Sequence, residues 1–191
     1  MMVSSRQKKR IVLVHPRGFN WFPGKRDITD IANRMVPQGV LSIAAYLKQK
    51  GHEVFVYDCL GPGAPLDLQK QAGAILAYQP QMVGFSATTS SFPDAADLAR
   101  LIKNHSSAIA TVCGGVHVSA LEGKLLNAYP AFDFLIAGEG EETIAELADE
   151  IPAADIRGLI WRNQDEITVN DVRPKISDLD SLPFPAYEQL K

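Results

Sequence analysis

Two cysteines, Cys59 and Cys113, are the only thiols in this 191-residue sequence. No C-x-x-C spacing occurs, so a four-cysteine metal site or an iron–sulfur cluster lacks its ligands. Each cysteine follows or ends an apolar, strand-like run and reads as a small buried hydrophobe. No apolar run approaches the ~20 residues of a membrane span. Met1 to Lys9 also lacks the apolar core of a signal peptide, so the expected location is the cytoplasm with no membrane span. The net charge of −3 gives no bulk attraction to nucleic acid or to an anionic membrane surface. Arg6, Lys8, Lys9 and Arg10 sit just ahead of a strand and read as a solvated chain start. Phosphate-cradling patterns are missing too. A dinucleotide fold wants G-x-G-x-x-G after its first strand, where this chain has His15-Pro16-Arg17-Gly18, and no P-loop occurs.

What is present is a regular alternation. Apolar residues make up 46% and charged residues 21%, normal for a globular protein with a real core. Ile11–Val14, Glu53–Asp58, Met82–Phe85, Ala108–Val112 and Phe132–Ala137 read as strands. Helical patterns follow: Val40, Ile43, Ala44 and Leu47 after Pro37, stopped at Gly51; Leu68 to Leu76; Ala95 to Ile102 behind Pro93; roughly Val118 to Ala128; and Ile144, Leu147, Ala148 and Ile151 facing inward. Strand-then-helix units in succession, with continuously apolar strands, predict an α/β fold with a parallel sheet covered on both faces. The pattern changes after Pro152. Residues 153–172 read as a β-hairpin turning at Asn163–Glu166, and 173–191, interrupted by Pro174, Pro183 and Pro185, read as a connector. The segment from Arg17 to Val36 is a long irregular loop whose aromatics, Phe19, Trp21 and Phe22, would either cover a flat ligand or plug a hydrophobic gap.

In such sheets ligands sit beyond the carboxyl ends of the strands. Three strand ends there are small or polar: Ser86-Ala87-Thr88-Thr89, Gly114-Gly115 with His117 and Ser119, and Gly138-Glu139-Gly140. Glycines at a strand end permit positive φ and close approach to a ligand. This rim offers hydrogen-bond donors and bare backbone, with little sign of a nucleophile or an acid–base pair, and predicts a cradle with no catalytic residue and no metal ligand. His117 is open to two readings, a ligand contact or a half-buried polar residue. Glu139 is either a ligand contact or a helix-capping carboxylate. Glu141 and Glu142 suit the positive end of a helix and disfavour a phosphate there. His52 and His105, beside turns, read as surface residues.

Taken together, Pro37-x-Gly39-Val40-Leu41-x-Ile43-Ala44-Ala45-Tyr46-Leu47, Gly84-Phe85-Ser86-Ala87-Thr88, Cys113-Gly114-Gly115-Val116-His117-Val118-Ser119 and Gly138-Glu139-Gly140-Glu141-Glu142-Thr143 resemble the N-terminal cobalamin-binding domain of cobalamin-dependent radical SAM proteins. That group includes magnesium-protoporphyrin monomethyl ester cyclase-like enzymes and several methyltransferases. The resemblance implies a Rossmann-like (flavodoxin-like) doubly wound sheet of five parallel strands in the order 2-1-3-4-5, spanning residues 1–152. It implies that Ser86 and Thr88 contact the corrinoid's nucleotide tail, and that Gly114 and Gly115 let the benzimidazole slide between sheet and helices. Pro37, Gly39, Thr89, His117, Ser119, Gly138, Glu139 and Gly140 complete the implied cobalamin-binding set. Arg173-Pro174 and Leu179–Tyr187 are similar to the connector into the radical SAM barrel. The resemblance therefore implies an N-terminal piece, whose 4Fe-4S cluster and S-adenosylmethionine belong to a domain beyond Lys191.

One departure is informative. Better-known domains of this type carry Asp-x-His-x-x-G after the first strand, and its histidine ligates cobalt. Between His15 and Gly39 this chain has no histidine, and Asp27-Ile28-Thr29-Asp30 offers only carboxylates. The expectation is a base-off cobalamin without a loop histidine on cobalt. The alternatives are a degenerate fold without cofactor that serves in docking or substrate recognition, and a flavodoxin- or receiver-like domain with another ligand. His15-Pro16 lacks the paired acids of a receiver and the hydroxyl-rich phosphate loop of a flavodoxin.

Overall fold

The computed structural model describes residues 8–19, 35–121, 123–164 and 166–190. Of the loop aromatics, Phe19 is exposed, while Trp21, Phe22 and the Asp27–Asp30 stretch lie outside the described residues.

The strands are β1 (Arg10–His15), β2 (Glu53–Asp58), β3 (Met82–Ser86), β4 (Ala110–Gly114), β5 (Phe134–Ile136), β6 (Leu159–Asn163) and β7 (Glu166–Val169). They form one sheet in the order β2-β1-β3-β4-β5-β6-β7. The first five are parallel in the expected order, and β6 and β7 are antiparallel. The hairpin foreseen over 153–172 is part of this sheet. It extends the sheet by pairing β6 with β5, which protects the β5 edge.

Helices α1 (Gln38–Gln49), α2 (Leu68–Leu76), α3 (Phe92–His105), α4 (Val116–Leu121), α5 (Lys124–Ala128) and α6 (Glu141–Ala148) cover the two faces. Side chains alternate along a strand, so Val12, Val14, Val83, Phe85, Cys113 and Leu135 face the α2, α3 and α5 side. Ile11, Leu13, Met82, Val112 and Ile136 face α1 and α6. Helix α1 ends as expected, with Gly51 at φ +96°.

Three expectations need correction. The helix foreseen from Val118 to Ala128 is two short helices, and the hairpin packs over Gly123 between them, where an added Cβ would meet Ile167 Cγ2 at 3.2 Å and Val169 Cγ2 at 3.3 Å. Ile151 does not face inward; α6 ends at Ala148, Glu150 takes φ +62°, and Ile151 is 39% exposed. His52 is not a surface residue but 5% exposed, taking the Lys9 amide on Nδ1 (3.3 Å) with Nε2 3.4 Å from Asp149 Oδ1.

The proline-rich C-terminal stretch docks on the body as a strap. Arg173, its side chain 9% exposed, donates to Glu142 Oε2 (2.8 Å), to Glu146 and to Thr143 Oγ1 (2.8 Å). Further on, the Ala186 amide donates to the Leu41 carbonyl (3.1 Å), Gln38 bonds Tyr187 (2.6 Å) and Lys48 pairs with Glu188 (2.5 Å). The Lys48 bond also holds the exposed Glu188 carboxyl below its ordinary pKa.

Candidate functional site

A parallel sheet with β1 beside β3 has its switch point there, because α1 leaves β1 toward β2 while later connections run the other way. On the α1/α6 face of this point a cavity of about 250 Å³ opens at the carboxyl edge. Sheet register builds its floor. Leu13, Gly84 and Val112 stand side by side in one row, and Ser86 and Gly114 in the next row toward the edge. Gly39, Val40 and Ile43 of α1 and Glu141 and Ile144 of α6 form the walls, with Gly138, Glu139 and Gly140 on the lip.

Glycine makes this space. Added Cβ atoms at Gly39 and Gly138 would meet nothing within 4 Å, and at Gly114 only ordinary contacts with Ile136 at 3.6 Å or more. At Gly84, which the sequence reading left out of the site, a Cβ would come within 2.9 Å of Leu13 Cδ2. Gly115 serves differently. Its φ of +103° and the Ala87 carbonyl oxygen, 2.6 Å from any Cβ, make it a packing glycine where β4 passes the β3 exit.

A shallower groove lined by Pro37, Met35, Thr88 and Ser91 shares Gly39, Val40 and Ser86 with the cavity. The structure thus brings together Pro37, Gly39, Ser86, Thr88, Gly114, Gly115, Gly138, Glu139 and Gly140. Thr88 is partly engaged, its Oγ1 3.1 Å from the hydroxyls of Ser90 and Ser91. Three expected residues do not line either space. His117 packs at a tilt against Phe92 (centroids 4.5 Å apart), and its Nδ1 lies 3.2 Å from Thr89 Oγ1. Ser119 Oγ accepts from the Gly138 amide (3.1 Å) and donates to the Gly115 carbonyl (3.3 Å), so it braces two of the glycine turns.

Glu139 faces the cavity and also receives the Ile176 amide of the strap on Oε2 (2.7 Å). Glu141 receives Ser42 Oγ (2.8 Å). Neither carboxylate is paired with a base or a nucleophile in these contacts. Burial pushes both thiols, Cys59 and Cys113, well above their ordinary pKa, so neither is poised as a thiolate. Among the described residues no group of three or more His, Cys, Asp or Glu side chains is placed to hold a metal ion. None of their helices is long and apolar enough to cross a membrane.

The wall residues Ile43 and Ile144 and the floor residues Leu13, Gly84 and Val112 were missed from sequence. The signal was there in part, since strand alternation puts Gly84 two residues before Ser86 and Val112 two before Gly114 on one face. Which helix would lie over that face was not.

Residues 24–148 match a family model described as the B12 binding domain. An uncharacterized methyltransferase of Pyrococcus horikoshii is 30% identical over 158 residues, 81% of this chain and 34% of the relative. The anaerobic magnesium-protoporphyrin IX monomethyl ester cyclase of Synechocystis is 29% identical over 77% of this chain and 30% of its own length. The chain thus spans about a third of the length of these curated relatives. The same fold is seen in the solved structure of the radical S-adenosylmethionine methyltransferase TsrM from Kitasatospora setae, with cobalamin and a 4Fe-4S cluster bound. The TM-score is 0.70 at 18% identity, over 96% of this chain and 32% of that one.

Proposed function

This chain belongs to the B12-binding domain family, and from that premise we propose that it is a cobalamin carrier module which takes the nucleotide tail into the cavity between the sheet and α1/α6. The observation that carries this reading is the glycine-kept slot at the switch point. At about 250 Å³ it is smaller than the ~300–1,000 Å³ of sites that enclose a whole drug-sized ligand. It is the right size class for one flat ring system inserted from a larger molecule resting on the edge. The residues fit such a ring: bare backbone at Gly39, Gly114 and Gly138 admits its faces, and Val40, Ile43, Ile136 and Ile144 offer apolar contact. Ser86 and, in the adjoining groove, Thr88 are placed to hydrogen-bond the polar parts of the tail. Ser119 keeps the Gly115 and Gly138 turns in position.

With its base held in that slot the cofactor would be carried base-off, and the loop after β1 has no histidine to offer in its place. When bound, cobalamin supplies a corrin-held cobalt able to carry an alkyl group or electrons. This chain's residues bind and orient it, and none acts as catalyst. The names of the relatives and of the solved structure favour a role beside a radical SAM domain in methyl transfer or cyclisation, with the cluster and S-adenosylmethionine on that other domain.

The test is retention. Purified protein is mixed with hydroxocobalamin, desalted and scanned in the visible, with cobinamide, which lacks the nucleotide tail, in parallel. Stoichiometric corrinoid with a base-off spectrum, and clear loss of binding for cobinamide, is the expected result. Colourless protein after desalting, or equal retention of both corrinoids, refutes the reading.

A further inference from the structure

We propose that the deep end of the cavity selects among corrinoids by the leading edge of the tail base, accepting an alkyl-edged benzimidazole and disfavouring a purine. This rests on the reading above, that the base enters this cavity. The two ends of the cavity differ in chemistry, and the fold decides which is which. Strand direction places Ser86 and Gly114 at the carboxyl edge, and Leu13, Gly84 and Val112 one row further in. Helices α1 and α6 both start at that edge and run back over the sheet. Gly39 and Glu141 are therefore at the mouth, with Ile144 about one turn deeper, its Cδ1 3.3 Å from a Cβ added at Gly84.

All polar side chains on the lining, Ser86, Glu139 and Glu141, thus stand at the mouth. The deep side chains among the described residues, Leu13, Val112 and Ile144, neither donate nor accept a hydrogen bond. Floor amides and carbonyls on β1, β3 and β4 belong to parallel ladders on both sides of β3. A benzimidazole with methyl groups on its far edge meets this end with hydrocarbon against hydrocarbon. A purine leads with an exocyclic amine or carbonyl and ring nitrogens, which would lose water and find no partner there. The mouth carboxylates do not help the leading edge of a purine, since they stand at the entrance, where they take the Ile176 amide and the Ser42 hydroxyl.

The experiment is equilibrium dialysis of the protein against cobalamin and against the corrinoid whose lower base is adenine, matched in upper ligand. Cobalamin should bind tighter by about tenfold or more, the usual cost of stranding a buried polar group. Val112→Thr keeps the shape of the floor and adds one hydroxyl at the deep end, and it should shrink that ratio severalfold. Circular dichroism checks that the variant is folded. Equal affinities, or a tighter purine form, overturn the selection while leaving the carrier reading intact. Failure of both corrinoids to bind overturns both. A ratio unchanged in folded Val112→Thr removes the deep end as its source.

Discussion

Glycines in this molecule do two separate jobs, and substitution separates them. Gly39 lies in the first turn of α1 with a helix-compatible backbone, and its missing Cβ points into open space. Gly39→Leu should therefore leave the fold intact, with Tm unchanged or slightly raised, since glycine in a helix costs about 0.5–1 kcal/mol relative to alanine. The same variant places an isobutyl group in the slot and should abolish corrinoid retention. Gly115→Ala should do the reverse in order of events. Its φ of +103° and the Ala87 carbonyl 2.6 Å away make it destabilising by about 1–3 kcal/mol, read as a lowered urea midpoint before any ligand is added. A Gly39→Leu protein that still binds corrinoid normally would remove the cavity from the site.

Between elements, the informative contact is the strap. Arg173 reaches Glu142, Glu146 and Thr143 on α6, and the stretch beyond it bonds Glu139, Leu41 and Gln38 around the cavity. Thr143 is fully buried, so Arg173 satisfies a hydroxyl as well as two carboxylates. The carboxylates are themselves 43% and 38% exposed, which discounts the ion pairs. Arg173→Ala should cost roughly 1–2 kcal/mol and raise hydrogen exchange at the amides of Ile176 and Ala186 ahead of the sheet. Exchange rising uniformly over the sheet instead would mean that the strap is no separate unit. The split of the helix foreseen over Val118–Ala128 belongs to this scale as well. Its apolar spacing was legible, but the hairpin side chains packed against Gly123 come from some forty residues further along the chain, which no local pattern records.

At the scale of the whole molecule, a ligand that inserts between the sheet and two helices ties three elements together. Hydroxocobalamin at 100 times its Kd should stabilise the fold by about 2.7 kcal/mol, seen as a rise in Tm that scales with the logarithm of its concentration. Cobinamide should give much less. A Tm that does not respond to cobalamin would mean that the folded protein does not bind it, which overturns the carrier reading.

The sequence by itself determined the parallel α/β core, its strand order through family resemblance, and the glycine and serine positions at the carboxyl edge. The core and the edge positions follow from continuous apolar runs, period-3.6 hydrophobicity and turn chemistry, which act over a few residues and are written directly in the chain; the strand order rests on the resemblance alone. Tertiary structure alone decided that the hairpin extends the sheet, that the C-terminal stretch docks as a strap, and that His52 is buried. It also decided that Ile43 and Ile144 wall the cavity while His117 and Ser119 stay outside it. Each of these depends on which surfaces meet across long separations, and burial of apolar area rewards such meetings without regard to the order of residues in the sequence.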